Sequence, residues 1–319
     1  MSTICKCNDG ISNTGLPLCT VLEKVIKKVV FVQLQANDGT LNYIDPSTTL
    51  DSAWLTAKLN NSDKSKRFFP TPEIKNIDTP KDAPVFEKYK DDSSYFVRES
   101  VRKFKGLIPS CPPMYKSQLE SLRCNLNVGC YLIDLEGNWR GITNEADGFL
   151  YPFPLAAQSV IANVVNANDD NTQQIDFEFE FPASLKDGNM RMISSNGFSG
   201  FTNSSITGLL VANYALVGSV TATSFVVDIT TPSPALDQPI ACQGWVAADF
   251  VSASTATTSK IWDVTDSTDK AITVAESATK AGRYTVTYTS ISGKTLTLAA
   301  KKNGFDTTNF LSGSAIVTP

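Results

Sequence analysis

Residues 175–181 read Ile-Asp-Phe-Glu-Phe-Glu-Phe. Ile175, Phe177, Phe179 and Phe181 share one parity; Asp176, Glu178 and Glu180 share the other. Successive strand side chains point to opposite faces, so this stretch predicts a strand with one face on a core and one in solvent. Upstream, Lys27–Gln35 (KKVVFVQLQ) is a second strong strand signal. It is rich in β-branched residues, with Val30, Val32 and Leu34 on one parity. Cys130–Leu135 (CYLIDL), a turn at Glu136-Gly137-Asn138, and Trp139–Ile142 predict a hairpin. A further strand is expected at Met190–Ser194.

Two helices interrupt this β pattern. Pro112–Cys124 opens with prolines and spaces Tyr115, Leu119 and Leu122 by four and three. Asp51–Leu59 predicts a short helix with Asp51 or Ser52 as N-cap and Trp54, Leu55 and Leu59 facing inward. Between the second of these and the next strand candidate, Ser94–Phe104, lies Phe68–Lys90. Pro70, Pro72, Pro80 and Pro84 break it, so it reads as a long surface excursion. Excursions of that length in compact domains usually serve function or touch another chain.

From about Thr221 charges thin out and Thr, Ser and Ala increase. Thr223–Thr230 reads as a strand, and Thr231-Pro232-Ser233-Pro234 as a linker or edge turn. Short strands then recur at Trp245–Val251, Lys260–Val264, Ala271–Val274, Arg283–Thr289, Thr295–Ala300 and Ser314–Val317. Strands at this spacing with turns between them predict an immunoglobulin-like sandwich. The expected fold class is therefore mainly β: an N-terminal β-sandwich or barrel with one or two flanking helices, plus a C-terminal immunoglobulin-like β-sandwich. The expected organisation is an arm over 1–20, a β-rich assembly domain over 21–230 and the immunoglobulin-like domain over 231–319.

Composition narrows the function classes. The 319 residues are 42% hydrophobic, 19% charged and carry a net charge of −4. From residue 235 onward seven Lys/Arg balance seven Asp/Glu, so the acidic excess lies earlier. This is not the balance of a basic nucleic-acid-binding face. Histidine is absent, which removes Ser-His-Asp and Cys-His catalysis and His-ligated metals. P-loop, Rossmann and G-x-S-x-G patterns are also missing. Nothing before Cys7 resembles an apolar signal segment, and no run is long enough to span a membrane, so use without export is expected.

The seven cysteines are Cys5, Cys7, Cys19, Cys111, Cys124, Cys130 and Cys242. An odd number without a secretory signal does not predict a disulfide framework. Cys5, Cys7 and Cys19 offer thiolates, but the C-x-x-C pairs usual for zinc are missing. Buried or free thiols are expected, with no metal, no cofactor and no catalytic residue.

Three features are candidates for interaction. Asp176, Glu178 and Glu180 are either an ordinary solvated strand face or an acidic lining past which DNA slides. Phe149-Leu150-Tyr151-Pro152-Phe153-Pro154 is apolar and stiffened by proline, so Phe149, Tyr151 and Phe153, with Phe68 and Phe69, are candidate subunit contacts. Lys64–Arg67 (KSKR) reads as a small solvated basic run, and Asp169-Asp170 as a turn.

Several segments together resemble structural proteins of tailed phages. They are Lys66–Pro70, Phe96-Val97-Arg98 with Phe104, Cys130–Gly137, Asp147–Pro152, Phe177–Phe181 and Met190–Ile193. Tyr284–Thr289, Gly293–Leu298 and Lys302–Phe305 look like the immunoglobulin-like modules that decorate virions. The layout is similar to a major tail (tail tube) protein, with Pro112–Cys124 as the flanking helix and Phe68–Lys90 as the long loop. That resemblance implies a non-enzymatic virion subunit made in the host cytoplasm, stacked as rings of identical copies around a DNA channel. Its implied partners are copies of itself and other virion proteins, with DNA only as passing cargo and no membrane. A capsid, head-decoration or fibre-base protein is the alternative. A carbohydrate-binding or adhesin module, using Trp245 or Trp262 as a platform, is a third reading by fold analogy.

Overall fold

The computed structural model describes residues 24–90, 92–98, 100–144, 147–233, 239–289, 293–307 and 315–317. The expected arm, with Cys5, Cys7 and Cys19, lies outside them. The chain is mainly β and divides into two units, Met1–Gly208 and Leu209–Pro319.

The first unit runs β1 (Ile26–Gln33), α1 (Ser52–Leu59), β2 (Phe69–Pro70), β3 (Lys75–Asp78), β4 (Val85–Lys88), β5 (Ser94–Arg98) and β6 (Lys103–Pro109). It continues with α2 (Met114–Ser121), β7 (Val128–Asp134), β8 (Trp139–Thr143), β9 (Leu150–Tyr151), β10 (Phe153–Pro154), β11 (Ile161–Val165), β12 (Gln174–Glu180) and β13 (Met190–Ile193). One sheet is ordered β13-β8-β7-β1-β2, with β10 on β7 and β9 on β8. A second is ordered β11-β12-β6-β3.

The strand at 175–181 behaves as its alternation predicts. Ile175, Phe177, Phe179 and Phe181 are buried, and the carboxylates between them face outward. The apolar side meets the first sheet in one core with Phe31, Phe104, Ile108, Cys130 and Leu132. Phe31 meets Phe179 edge-on at 5.9 Å, and Phe104 stacks on Phe179 at 4.7 Å. The centre of the first sheet is buried on both faces. Every residue of β7 is buried, as are six of the eight in β1. Val30, Val32, Tyr131 and Ile133 face a second core with Leu55, Leu59, Phe68, Trp139 and Ile206. Fully burying one such side chain contributes about 1.5–3 kcal/mol.

Local chemistry sets the helix start and the strand crossings. The Asp51 carboxylate accepts the Trp54 amide at 2.8 Å and so caps α1. Gly141 in β8 is crossed by β9 so closely that a Cβ there would sit 2.2 Å from the Tyr151 carbonyl oxygen. The buried Lys28 donates to the Ile206 carbonyl at 2.6 Å, and burial pushes its ammonium below the ordinary lysine range.

The second unit contains β14 (Leu210–Val211), β15 (Asn213–Val217), β16 (Ser224–Thr231), β17 (Ile240–Ala241), β18 (Phe250–Ser252) and β19 (Lys260–Asp263). It ends with β20 (Thr268–Glu276), β21 (Arg283–Tyr288), β22 (Thr295–Ala300), β23 (Phe305–Asp306) and β24 (Ala315–Val317). The regular strand spacing corresponds here to one continuous sheet ordered β15-β16-β21-β20-β19-β22-β18. Its apolar residues, among them Phe225, Trp245, Phe250, Tyr284 and Leu298, meet in a single core. Tyr284 keeps its hydroxyl satisfied there by donating to the Cys242 carbonyl at 2.8 Å. The division at 208/209 precedes the expected 230/231 boundary, because β15 and β16 are hydrogen-bonded through to β21. Thr231, Pro232 and Ser233 therefore fall within the second unit, and Pro234 lies outside the described residues.

Candidate functional site

The long excursion after Phe68 holds the most unusual surface of the first unit. Val85–Lys88 and Ser94–Arg98 pair with each other and with no other described strand. The turn is closed by the Tyr89 amide on the Ser93 carbonyl at 2.9 Å, with Asp92 at φ 62°. Strand alternation puts Tyr95 and Val97 on one face and Phe86 on the other. Tyr95 is 73% exposed, Val97 54% and Phe86 51%; Val85 and Tyr89 are exposed too. Two-stranded hairpins are marginal in water by themselves, and contiguous exposed apolar groups mark interaction surfaces.

The base of this hairpin is tied down. The Asp187 carboxylate takes Lys81 at 3.0 Å and Arg102 at 3.1 Å, one from each side of the hairpin. Partial burial raises the Asp187 pKa, but the Lys81 hydrogen bond and the Arg102 charge outweigh that and hold it below the ordinary carboxylate range. The Ser100 hydroxyl donates to the Ala83 carbonyl, and the Lys103 amide to the Pro80 carbonyl at 2.9 Å. The arrangement projects an apolar ribbon from a fixed root.

The acidic stripe lies on the outer face of β12, where two of its members are ion-paired. Glu180 meets Lys103 at 2.9 Å and Glu178 meets Lys105 at 3.3 Å, each across the β12–β6 register. The Glu180 carboxylate in turn holds the Lys103 ammonium above its ordinary range. Only Asp176 lies between neutral neighbours, Leu107 and Asn163. The face is one of mixed charge rather than an acidic strip. Alternation within β12 showed the carboxylates, but the lysines sit on a strand some seventy residues earlier and show only in the pairing.

The five aromatic candidates separate. Phe68 and Phe153, expected as subunit contacts, are buried in the core of this chain. Phe68, just before β2, packs against Trp54 and Tyr131, and Phe153, in β10, packs against Phe181. Phe69, on the opposite parity, is exposed. Phe149 and Tyr151 gather around Tyr43, with ring centroids at 4.4 Å and 5.8 Å. Burial and the hydrogen-bonded Asp147 carboxylate push the Tyr151 phenol up to about 12.

Other expected surface features resolve as structure. In KSKR, Ser65 and Arg67 are buried, and Arg67 donates to the Asn61 carbonyl at 2.7 Å, so only part of the run is solvated. Asn168 caps a turn by accepting the amides of Asp170 and Asn171. Trp245 is a core residue beneath Lys302 and offers no exposed platform. Cys111, Cys130 and Cys242 are buried free thiols, their pKa values raised by burial. Among the described residues no group of three or more His, Cys, Asp or Glu is placed to hold a metal ion, and no helix is long and apolar enough to cross a membrane.

No family model matches the chain, and no curated protein sequence matches it.

Proposed function

We propose that this protein is a non-enzymatic structural subunit of a virion that assembles with copies of itself, most specifically a tail tube protein stacked in rings around a DNA channel. The observation that carries the reading is the β4–β5 hairpin, with exposed apolar side chains, a clamped root and no further strand paired to it among the described residues. A monomer gains nothing from displaying it, whereas a neighbouring copy would bury it. A head-to-tail contact of this kind closes into a ring or propagates as a filament. In a tube, the outer face of β12 lines the channel. Its paired charges let DNA pass without strong attraction. Other virion proteins would meet the ends of such rings.

Negative-stain electron microscopy of the concentrated chain tests this. Rings or tubes with a central hole are expected. A stable monomer refutes self-assembly, and a solid trimer transfers the reading to a capsid, decoration or fibre-base protein.

A further inference from the structure

At one end of the first sheet a cavity of about 400 Å³ opens between the β7–β8 turn and the segment 195–204. Leu135, Phe198 and Phe201 give it apolar walls, and Glu136 is the one charged residue among the described residues that line it. A void of about 150 Å³ already takes a benzene ring, so this one has room for more than one leucine-sized side chain. The apolar surface continues past the mouth. Leu135 and Val25 are both exposed, and the Leu135 amide donates to the Val25 carbonyl at 2.9 Å.

The lining by itself names no occupant; the place where the chain enters the fold does. The described residues begin at Lys24, and Lys24 is fastened to the same turn that walls the cavity. Its amide donates to the buried Asp134 carboxylate at 3.2 Å, and its ammonium lies 3.7 Å from Glu136. From the other wall, the Asn203 side-chain amide donates to the Asp134 carbonyl at 2.8 Å. The residues before Lys24 therefore start at the rim of the cavity.

Their composition matches it. Residues 16–22 read Leu-Pro-Leu-Cys-Thr-Val-Leu, with four large aliphatic residues and no charge. An extended chain covers roughly 3.3–3.6 Å per residue, so Leu22 lies within about 7 Å of Lys24 and Leu18 within about 21 Å. Tethering at such short range gives the chain's own segment an effective concentration of roughly millimolar, which favours it over the same segment of another copy.

We propose that the cavity is the seat of this chain's own segment 16–22. Leu18, Val21 and Leu22 seat against Leu135, Phe198 and Phe201, and the Lys24 contacts to Asp134 and Glu136 fix the point at which the segment turns in. The seat involves the first unit alone and stands or falls separately from the assembly reading.

The test uses the full chain carrying Cys5→Ser, Cys7→Ser and Cys124→Ser, which leaves Cys19 beside the buried Cys111, Cys130 and Cys242. Ser204→Cys, an exposed change at the rim, adds the reporting thiol. A short bismaleimide is added, the products are separated by denaturing electrophoresis, and the linked peptides are identified by mass spectrometry. The expected result is a link from Cys19 to the introduced thiol within a single chain. Leu18→Asp with Leu22→Asp should slow that linking by roughly tenfold or more, since even one lost leucine burial is worth about that factor. Amide exchange in residues 198–204 should quicken in the same variant without the cross-linker. The proposal is overturned if the Cys19 link joins two chains, which gives the cavity to a neighbour's segment, or if no such link forms. It is equally overturned if the two aspartates leave both linking and exchange unchanged.

Discussion

Strand β7 and the hairpin of β4 and β5 lie in the same unit and both are rich in apolar residues, yet they sit at opposite limits of burial. β7 is covered on both faces, whereas Val85, Phe86, Tyr95 and Val97 of the hairpin are exposed. For β7, packing explains every side chain. Apolar residues in a strand report stability only where another layer covers them. Where none does, a contiguous group of them marks a candidate interaction surface.

The sharpest way to break this contrast is to cut the doubly covered sheet. Phe31→Ala should cost about 3–5 kcal/mol, measured by urea unfolding, because it leaves a void against Phe179 that the sheets cannot close. Gly141→Ala should cost about 3 kcal/mol, since its methyl group would meet the Tyr151 carbonyl and push β9 from β8.

Smaller effects belong to the root of the hairpin. Asp187→Asn should cost about 1 kcal/mol or less and speed amide exchange in residues 85–98 while leaving β7 protected. The Asp187 pKa is lowered on folding, so its contribution is complete above the ordinary carboxylate value of 3.8 and is lost as the pH falls through the lower folded value. Acid should therefore loosen the hairpin root, and amide exchange followed down through that range checks the sign. The smallest stability effect is expected at the hairpin itself. Tyr95→Ser with Val97→Ser should change unfolding free energy by no more than about 0.5 kcal/mol.

Much of the fold was legible because it rests on local patterns. Period-two alternation placed 175–181 correctly, face by face. The Asp51 cap and the spacing of Tyr115, Leu119 and Leu122 located both helices, the second ending as a 3-10 turn at Leu122–Cys124. The hairpin was half visible. Phe68–Lys90 reads as an excursion, but its pairing with Ser94–Arg98 depends on a turn at 89–93 without a strong Gly signal. Ser94–Phe104 also reads as one strand where the structure has two, β5 and β6. Proline-flanked aromatics suggest a surface loop, yet Phe153 is turned inward by its short strand on β7, and Phe68, just before β2, is buried against Trp54 and Tyr131. The ion pairs of Glu178 and Glu180 join segments far apart in the chain, and no local pattern announces them.

The central claim is that the uncovered hairpin is an assembly contact. Sedimentation velocity of the unaltered chain beside Tyr95→Ser/Val97→Ser, at matched concentration, tests it most directly. The account expects the unaltered chain to sediment as a ring-sized species and the variant as a monomer with the same unfolding midpoint. A variant that sediments like the unaltered chain, or an unaltered chain that stays monomeric at every concentration, would contradict it.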